Sequence, residues 1–140
     1  MGNDRVTLVD SNVLIDIVSD DPVWFDWSAA RLEDAALTGP LFINDAVYAE
    51  TSIRYRDIGR FEEALSRADL IVLPTPRAAL FLAGKAFARY RAAGGPRTSV
   101  LPDFFIGAHA EIERLPLLTR DAQRYRGYFP DVTLIAPDAA

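Results

Sequence analysis

Four acidic residues occupy positions from which they could act together. Asp10 directly follows an apolar segment, and Asp121 follows another with only two residues between. Glu50 lies one or two turns into a predicted helix, and Asp103 lies in the first turn of a largely apolar one. If the apolar segments are parallel strands, Asp10 and Asp121 emerge at the same edge of a sheet. The four side chains could then converge on one cleft.

Carboxylates that lie close together repel one another and take up protons unless a cation separates them. Mg²⁺ or Mn²⁺ suits such a site, because hard divalent ions bind oxygen ligands and keep several waters. An ion of this kind lowers the pKa of a bound water and stabilises charge on a phosphoryl group. The chemistry that these residues indicate is hydrolysis of a phosphodiester.

Each acid also has a purely structural interpretation, and spacing alone does not choose between the two. Asp10 and Asp121 could simply cap the helices that follow them. Glu50 could lie on a solvated helix face, and Asp103 could interact only with the helix dipole. The other acids near the predicted elements are interpreted as turn or cap residues: Asp16, Asp20, Asp21 and Asp45.

Other kinds of catalytic site find little support in the sequence. There are no cysteines, which excludes disulfides, thiolate zinc sites and cysteine nucleophiles. His109 is the only histidine, so a local Ser-His-Asp motif cannot be built. We expect His109 to be packed and hydrogen-bonded within a buried helix. No glycine-rich phosphate loop follows a predicted strand.

Short apolar segments alternate with helical ones along the whole chain. Asn44 is expected to cap a helix, and Pro22 to occupy the first helical position after an Asp21 cap. This alternation predicts an α/β fold with a short parallel sheet of four to five strands and helices on both faces, in a single domain spanning 1–140. Strands are predicted at 6–9, 41–43, 70–73, 115–119 and 133–135, and helices at 12–18, 22–37, 45–54, 60–68, 77–93, 103–114 and 122–128.

The net charge of −5 and the pI of about 4.8 argue at first against nucleic-acid binding. Four acids masked by bound cations would leave 16 acids against 15 Lys and Arg, so charge does not decide the matter. The N-terminal residues do not resemble a signal peptide, and no apolar run approaches the ~18 residues of a membrane span. We therefore expect a cytoplasmic protein with no membrane partner.

With the acids located, the chain resembles the PIN-domain ribonucleases, and in particular the VapC-type toxins of bacterial type II toxin–antitoxin systems. The similarity covers nearly the whole chain in the family's order. Each motif alone is weak, and the set of motifs is specific. The matching stretches are LVDSNVLID at 8–16, NDAVYAE at 44–50, LPDFFIGAHA at 101–110, LLTRDAQRY at 117–125 and YFP at 128–130. One departure is His109, which stands where a small residue is common.

The resemblance implies an endoribonuclease that depends on Mg²⁺ or Mn²⁺. Its catalytic residues would be Asp10, Glu50, Asp103 and Asp121, of which Asp10, Asp103 and Asp121 would be the metal ligands. Supporting roles fall to Ser11 and Thr119 as hydrogen-bond partners and to Asn12 as an orienting side chain. The implied partners are an RNA substrate, a second copy of the chain in a homodimer, and a cognate antitoxin that covers the cleft.

Two further surfaces are assigned on this basis, each with an open alternative. Trp24 and Trp27 on the second predicted helix could form a groove for a partner helix, or could simply pack on the domain. Several arginines could contact RNA phosphates or remain solvated surface charges: Arg54, Arg56, Arg60, Arg97, Arg120 and Arg124. The competing functions are a PIN-type nuclease of RNA processing that is not a toxin, and a non-catalytic α/β binding module.

Overall fold

The computed structural model describes residues 6–96 and 101–137. Five strands and seven helices alternate in this part of the chain. The strands are β1 Thr7–Val9, β2 Leu41–Ile43, β3 Leu70–Val72, β4 Leu117–Leu118 and β5 Leu134–Ile135. The helices are α1 Ser11–Val18, α2 Phe25–Thr38, α3 Asp45–Ser52, α4 Ile58–Arg67, α5 Arg77–Ala92, α6 Leu101–Glu113 and α7 Gln123–Arg126.

The strands form one sheet in the order β3-β2-β1-β4-β5, and every neighbouring pair is parallel. All residues of β1, β2 and β4 are buried, as expected for a parallel sheet that is covered on both faces. The predicted α/β class and the five-stranded parallel sheet are therefore confirmed. Since all strands run the same way, their carboxyl ends lie along one edge.

Most element boundaries differ from the predicted ones by only one or two residues, and the start of α2 differs by three. Helix α2 begins at Phe25 rather than at Pro22, because Asp21 Oδ1 accepts hydrogen bonds from the backbone N–H groups of Val23 and Trp24, at 2.9 and 2.8 Å, and holds a turn there. Helix α6 begins at Leu101, two residues early, and β4 contains only two residues. Within the described residues, no helix is both long and apolar enough to cross a membrane.

The end of the chain closes over α6 through one tight contact. Gly107 lies on the buried face of α6, where the ring of Phe129 packs directly against its backbone. A Cβ at position 107 would lie 2.6 Å from Phe129 Cε2, which is closer than non-bonded carbons approach. Phe129 is itself buried, so the ring has little room to move aside. This contact fixes the segment after α7 onto the helix that carries Asp103.

Candidate active site

Asp10 lies at the point where the sheet order reverses direction. Its strand β1 is followed along the chain by β2 on one side, while β4 pairs on the other. The backbone N–H of Asp10 donates to the carbonyl oxygen of Leu118 at 2.9 Å, which holds the ends of β1 and β4 together. Open α/β sheets bind ligands in the crevice that forms at such a reversal.

The Asp10 carboxylate is buried and does not cap the helix that follows it. It occupies the N-cap position of α1, yet it accepts no capping hydrogen bond from that helix. Its Oδ2 atom instead accepts from Thr119 Oγ1 at 2.8 Å and from Tyr125 OH at 2.7 Å. Burial raises the pKa of Asp10, and the hydroxyl groups of Tyr125 and Thr119 partly oppose that shift. Capping therefore does not explain this residue.

The Thr119 hydroxyl has a fixed orientation. Its oxygen accepts from Asn12 Nδ2 at 3.2 Å and from the backbone N–H of Asp121 at 3.1 Å. Because both approaching groups are donors, the single hydroxyl proton of Thr119 is directed at Asp10. Asn12 Oδ1 also accepts from the backbone N–H of Arg120 at 3.3 Å, so its amide joins α1 to the segment after β4.

Glu50 reaches the site from α3 through a serine. Ser11 Oγ donates to Glu50 Oε1 at 2.7 Å and lies 3.4 Å from Asp10 Oδ1, so one hydroxyl links the two acids. Burial raises the pKa of Glu50, and the negative charge of Asp10 raises it further. The half-buried Glu50 side chain therefore does not lie on a freely solvated helix face.

Asp103 and Asp121 are linked by an arginine. Arg124 Nε contacts Asp121 Oδ2 at 2.8 Å, and its Nη1 contacts Asp103 Oδ2 at 3.4 Å. Burial raises the pKa of Asp103 to about 7 against the pull of Arg124, and the charges of Asp10, Glu50 and Asp121 add to the rise. All four acids thus lie within electrostatic reach of one another.

The four acids form two linked pairs rather than a closed cage. Across residues 6–96 and 101–137, no three carboxylate or imidazole side chains are grouped closely enough to hold one ion. The donor set nevertheless fits Mg²⁺ or Mn²⁺, because every donor is an oxygen, and such ions are commonly held by one or two carboxylates plus water. Asp10 Oδ1 and the Asp103–Asp121 pair present the oxygens that could serve.

The histidine is structural, as predicted. His109 is 3% exposed, and its Nδ1 accepts from Asn44 Nδ2 at 3.1 Å. Asn44 Oδ1 in turn caps α3 by accepting from the backbone N–H of Val47 at 3.0 Å. Burial lowers the pKa of His109, so the ring stays neutral. Through this pair α6 fixes the start of the helix that carries Glu50.

The interpretation of Asp16 as a turn or cap residue is wrong. Asp16 is 1% exposed, and its Oδ2 contacts Arg120 Nε at 2.7 Å and Ser28 Oγ at 2.8 Å. The Arg120 guanidinium also lies 5.4 Å from the ring centre of Trp24. This group joins α1 and α2 to the segment between Thr119 and Asp121. Asp16 is therefore a buried partner of Arg120 that holds these segments together.

Sequence reasoning assigned no role to Tyr125, and it left Arg124 as either a contact for RNA phosphates or a solvated surface charge. The signal available in the sequence was their spacing from Asp121. Arg124 and Tyr125 come three and four residues later, in a predicted helix, and such residues lie on the same helix face. Of the other arginines named for RNA contact, Arg60 pairs with Asp57, and Arg97 lies outside the described residues. Trp27 packs against the core, in keeping with the packing alternative.

Comparison with known proteins identifies the family of this chain. The model of the PIN domain matches residues 7–129 of the chain. No curated protein sequence matches it. Among solved structures, the chain is similar to one in VapBC2 from Rickettsia felis bound to a promoter DNA fragment, with a TM-score of 0.71, 18% identity, and coverage of 96% of this chain and 100% of that one.

A second similar structure is a toxin–antitoxin complex from Klebsiella pneumoniae, with a TM-score of 0.57, 26% identity, and coverage of 91% and 95%. A third is VapBC-1 from nontypeable Haemophilus influenzae, with a TM-score of 0.68, 16% identity, and coverage of 94% and 98%. These likenesses support the fold, and the sequence match extends over most of the chain. The chain belongs to the PIN domain family.

Proposed function

We propose that this chain is a metal-dependent endoribonuclease that acts as the toxin of a toxin–antitoxin pair. The observation that carries the proposal is the approach of four acids from separate segments. Ser11 Oγ lies 2.7 Å from Glu50 Oε1 and 3.4 Å from Asp10 Oδ1, and the Arg124 guanidinium contacts both Asp103 and Asp121, at 3.4 and 2.8 Å. The chain belongs to a family of nucleases, so hydrolysis of a phosphodiester is the reaction that this acidic pocket would catalyse. Acids brought together at such a cost indicate a cation as their partner.

Asp10, Asp103 and Asp121 would hold Mg²⁺ or Mn²⁺, with Glu50 completing the acidic pocket. A bound ion would supply a water of lowered pKa and stabilise charge on the phosphoryl group. The protein's own part is orientation: Thr119 and Tyr125 donate to Asp10 Oδ2, so Oδ1, which has only the long 3.4 Å contact with Ser11 Oγ, is the oxygen that would bind the ion. Ser11 holds Glu50 beside it, and Asn12 fixes the Thr119 hydroxyl.

The decisive test compares RNA cleavage by the wild type with that by Asp10→Asn and Asp103→Asn, in Mg²⁺, in Mn²⁺ and in EDTA. Each variant keeps the side-chain size while removing a charge, so cleavage should fall at least ~100-fold with the fold intact. Asp131→Asn is the matched control, since Asp131 is exposed and lies in the turn before β5. Metal-independent cleavage, or full activity in Asp10→Asn, would refute the proposal.

The antitoxin partner is supported by an apolar groove between α1, α2 and α4. The groove has a volume of about 200 Å³, and its lining includes Ile17, Leu32, Tyr55 and Leu65. Thr51 is in the same lining, and its buried Oγ1 has no hydrogen-bond partner among the described residues. The similar toxin–antitoxin structures indicate the class of partner, namely a small protein that could place an amphipathic segment in this groove.

Co-purification with the product of a neighbouring reading frame tests the antitoxin, and Leu32→Asp should abolish it. A nuclease that is active but has no such neighbour would instead belong to RNA processing. A homodimer is proposed from exposed apolar side chains on the edge strand β3 and on α5, the helix that follows it, namely Ile71 at 49%, Phe81 at 69% and Leu80 at 43% exposure. Sedimentation of the wild type and of Phe81→Asp tests that assembly.

The remaining alternative is a non-catalytic binding module on the same fold. It predicts no gain in melting temperature with Mn²⁺, whereas a metal site predicts a rise that grows with concentration above the dissociation constant. A clear Mn²⁺-dependent rise that Asp103→Asn removes would exclude the module. No rise at millimolar Mn²⁺ would favour it.

A further inference from the structure

Arg124 is the counter-ion of the acidic pocket. Its guanidinium lies between Asp103 Oδ2 and Asp121 Oδ2, at 3.4 and 2.8 Å. Among the residues that the structure describes, no other arginine or lysine pairs with any of the four acids. Burial disfavours the charge of Arg124, yet the nearby acids raise its pKa overall. In the absence of a metal ion, Arg124 is therefore the group that offsets the negative charge of Asp103 and Asp121.

A divalent ion and this guanidinium cannot use the same two carboxylates together. Mg²⁺ binds oxygen at about 2.0 to 2.1 Å, so an ion shared by Asp103 and Asp121 would occupy the space that the guanidinium now fills. Asp103 cannot turn away easily, since its side chain is only 9% exposed. Arg124 can, because its side chain is 53% exposed and stands on a helix of four residues.

The released side chain would have a natural new partner. A guanidinium donates two parallel hydrogen bonds to a phosphate as readily as to a carboxylate. Arg124 would remain at the rim of the pocket, where the backbone of an RNA substrate must approach the acids. Its charge would then oppose the phosphodiester instead of the carboxylates.

We infer that Arg124 exchanges partners during the cycle, pairing with Asp103 and Asp121 in the metal-free protein and with an RNA phosphate once those carboxylates hold a metal ion. The inference rests on the proposed function, because it assumes that these carboxylates bind the ion. It adds that the chain carries its own competitor for the metal. The same residue then becomes a substrate-binding group.

The exchange of partners predicts two effects of Arg124→Gln, a gain in metal binding and a loss of contact with RNA. Without RNA, the variant should bind Mn²⁺ more tightly than the wild type, by about 5-fold, because a partly exposed ion pair no longer has to be broken. With saturating Mn²⁺, the slope of log(kcat/KM) against log salt should be less steep by about 0.7, the loss of one phosphate contact to a single strand. A purely structural role would not produce both effects.

The experiment measures Mn²⁺ binding by titration calorimetry at pH 7.5, without RNA, for the wild type, Arg124→Gln and Arg126→Gln. Arg126 lies on the same short helix, is exposed and forms no ion pair with any residue that the structure describes, so Arg126→Gln removes the same charge without breaking the Arg124 pair. We expect the control to bind Mn²⁺ within about 2-fold of the wild type. Salt dependence of RNA cleavage is then measured for all three proteins.

The outcomes separate this inference from the proposed function. If the wild type binds Mn²⁺ and Arg124→Gln binds it equally or more weakly, the competition is refuted while the metal site stands. Equal tightening in Arg126→Gln also refutes it, since a general charge effect would then be responsible. An unchanged salt slope in Arg124→Gln refutes the phosphate contact. If none of the three proteins binds Mn²⁺, the proposed function itself fails.

Discussion

The metal-free protein should lose stability as the pH rises through neutrality, and Asp103 gives the size of the effect. Its pKa is about 7 in the folded protein against an ordinary value of 3.8. Between these values the folded state keeps a proton that the unfolded chain has released, so the free energy of unfolding falls as pH increases. The stabilising contribution is complete below about pH 4 and is lost as the pH passes about 7.

The magnitude follows from the gap between the two values. The pKa of folded Asp103 lies about 2 units above pH 5, and at 1.36 kcal/mol per unit the stabilisation still present at pH 5 is roughly 2.7 kcal/mol. At pH 7.5, above that pKa, almost none of this stabilisation remains. Asp103 alone should therefore lower the unfolding free energy by roughly 2.5 kcal/mol between pH 5 and pH 7.5. The raised pKa values of Asp10 and Glu50 act in the same direction.

Urea denaturation in EDTA at several values between pH 5 and pH 8 measures this dependence. Asp103→Asn cannot titrate at that position, so its stability should fall by roughly 2.5 kcal/mol less than that of the wild type over the same range. Wild-type stability that stays level or increases between pH 5 and pH 7.5 would refute the reasoning. An unchanged pH dependence in Asp103→Asn would show that other groups are responsible.

Three substitutions test how the pocket is held. Tyr125→Phe removes a buried hydrogen bond to the Asp10 carboxylate and should cost about 1.5 to 3 kcal/mol in urea denaturation. Arg120→Met leaves the buried charge of Asp16 unpaired and should cost about 3 kcal/mol, much of which the double variant with Asp16→Asn should restore. Gly107→Ala forces a Cβ into the ring packed against it and should cost about 1 to 3 kcal/mol by the same measurement.

Each of these results has a clear contrary outcome. A Tyr125→Phe protein as stable as the wild type would mean that water replaces the phenol. Failure of the double variant to recover stability would mean that Arg120 acts through its contact with Trp24 rather than through Asp16. A fully stable Gly107→Ala protein would mean that the Phe129 segment can move away from α6 at no cost.

The fold was largely accessible from the sequence. Alternating apolar and helical segments determine the elements, and the parallel sheet follows because helices separate the strands. Boundaries were less accessible where a side chain competes with the backbone. The Asp21 carboxylate accepts hydrogen bonds from two backbone N–H groups, and α2 therefore begins about one turn later than predicted. Helix propensities do not predict such a side-chain hydrogen bond.

The candidate site could be predicted only in part, for a related reason. Strand ends and helix starts locate Asp10, Glu50, Asp103 and Asp121, because those positions follow from the chain's own alternation. The partners of these acids depend on distances between elements far apart in sequence. Arg124 meets Asp103 across 21 residues, and Tyr125 meets Asp10 across 115. Asp16 was misjudged for the same reason, since its partner Arg120 lies 104 residues away.

The cation–π contact between Arg120 and Trp24 also gives the molecule a fluorescence signal of its own. The chain has only two tryptophans, Trp24 and Trp27, whose rings are 6.0 Å apart in an edge-to-face arrangement. The positive charge of Arg120 contributes to the electric field at the Trp24 indole, and tryptophan emission depends on that field. Arg120 adjoins Asp121 in sequence, so a shift of this segment on ligand binding would change the emission. Intrinsic fluorescence can therefore follow events in the acidic pocket without any added label.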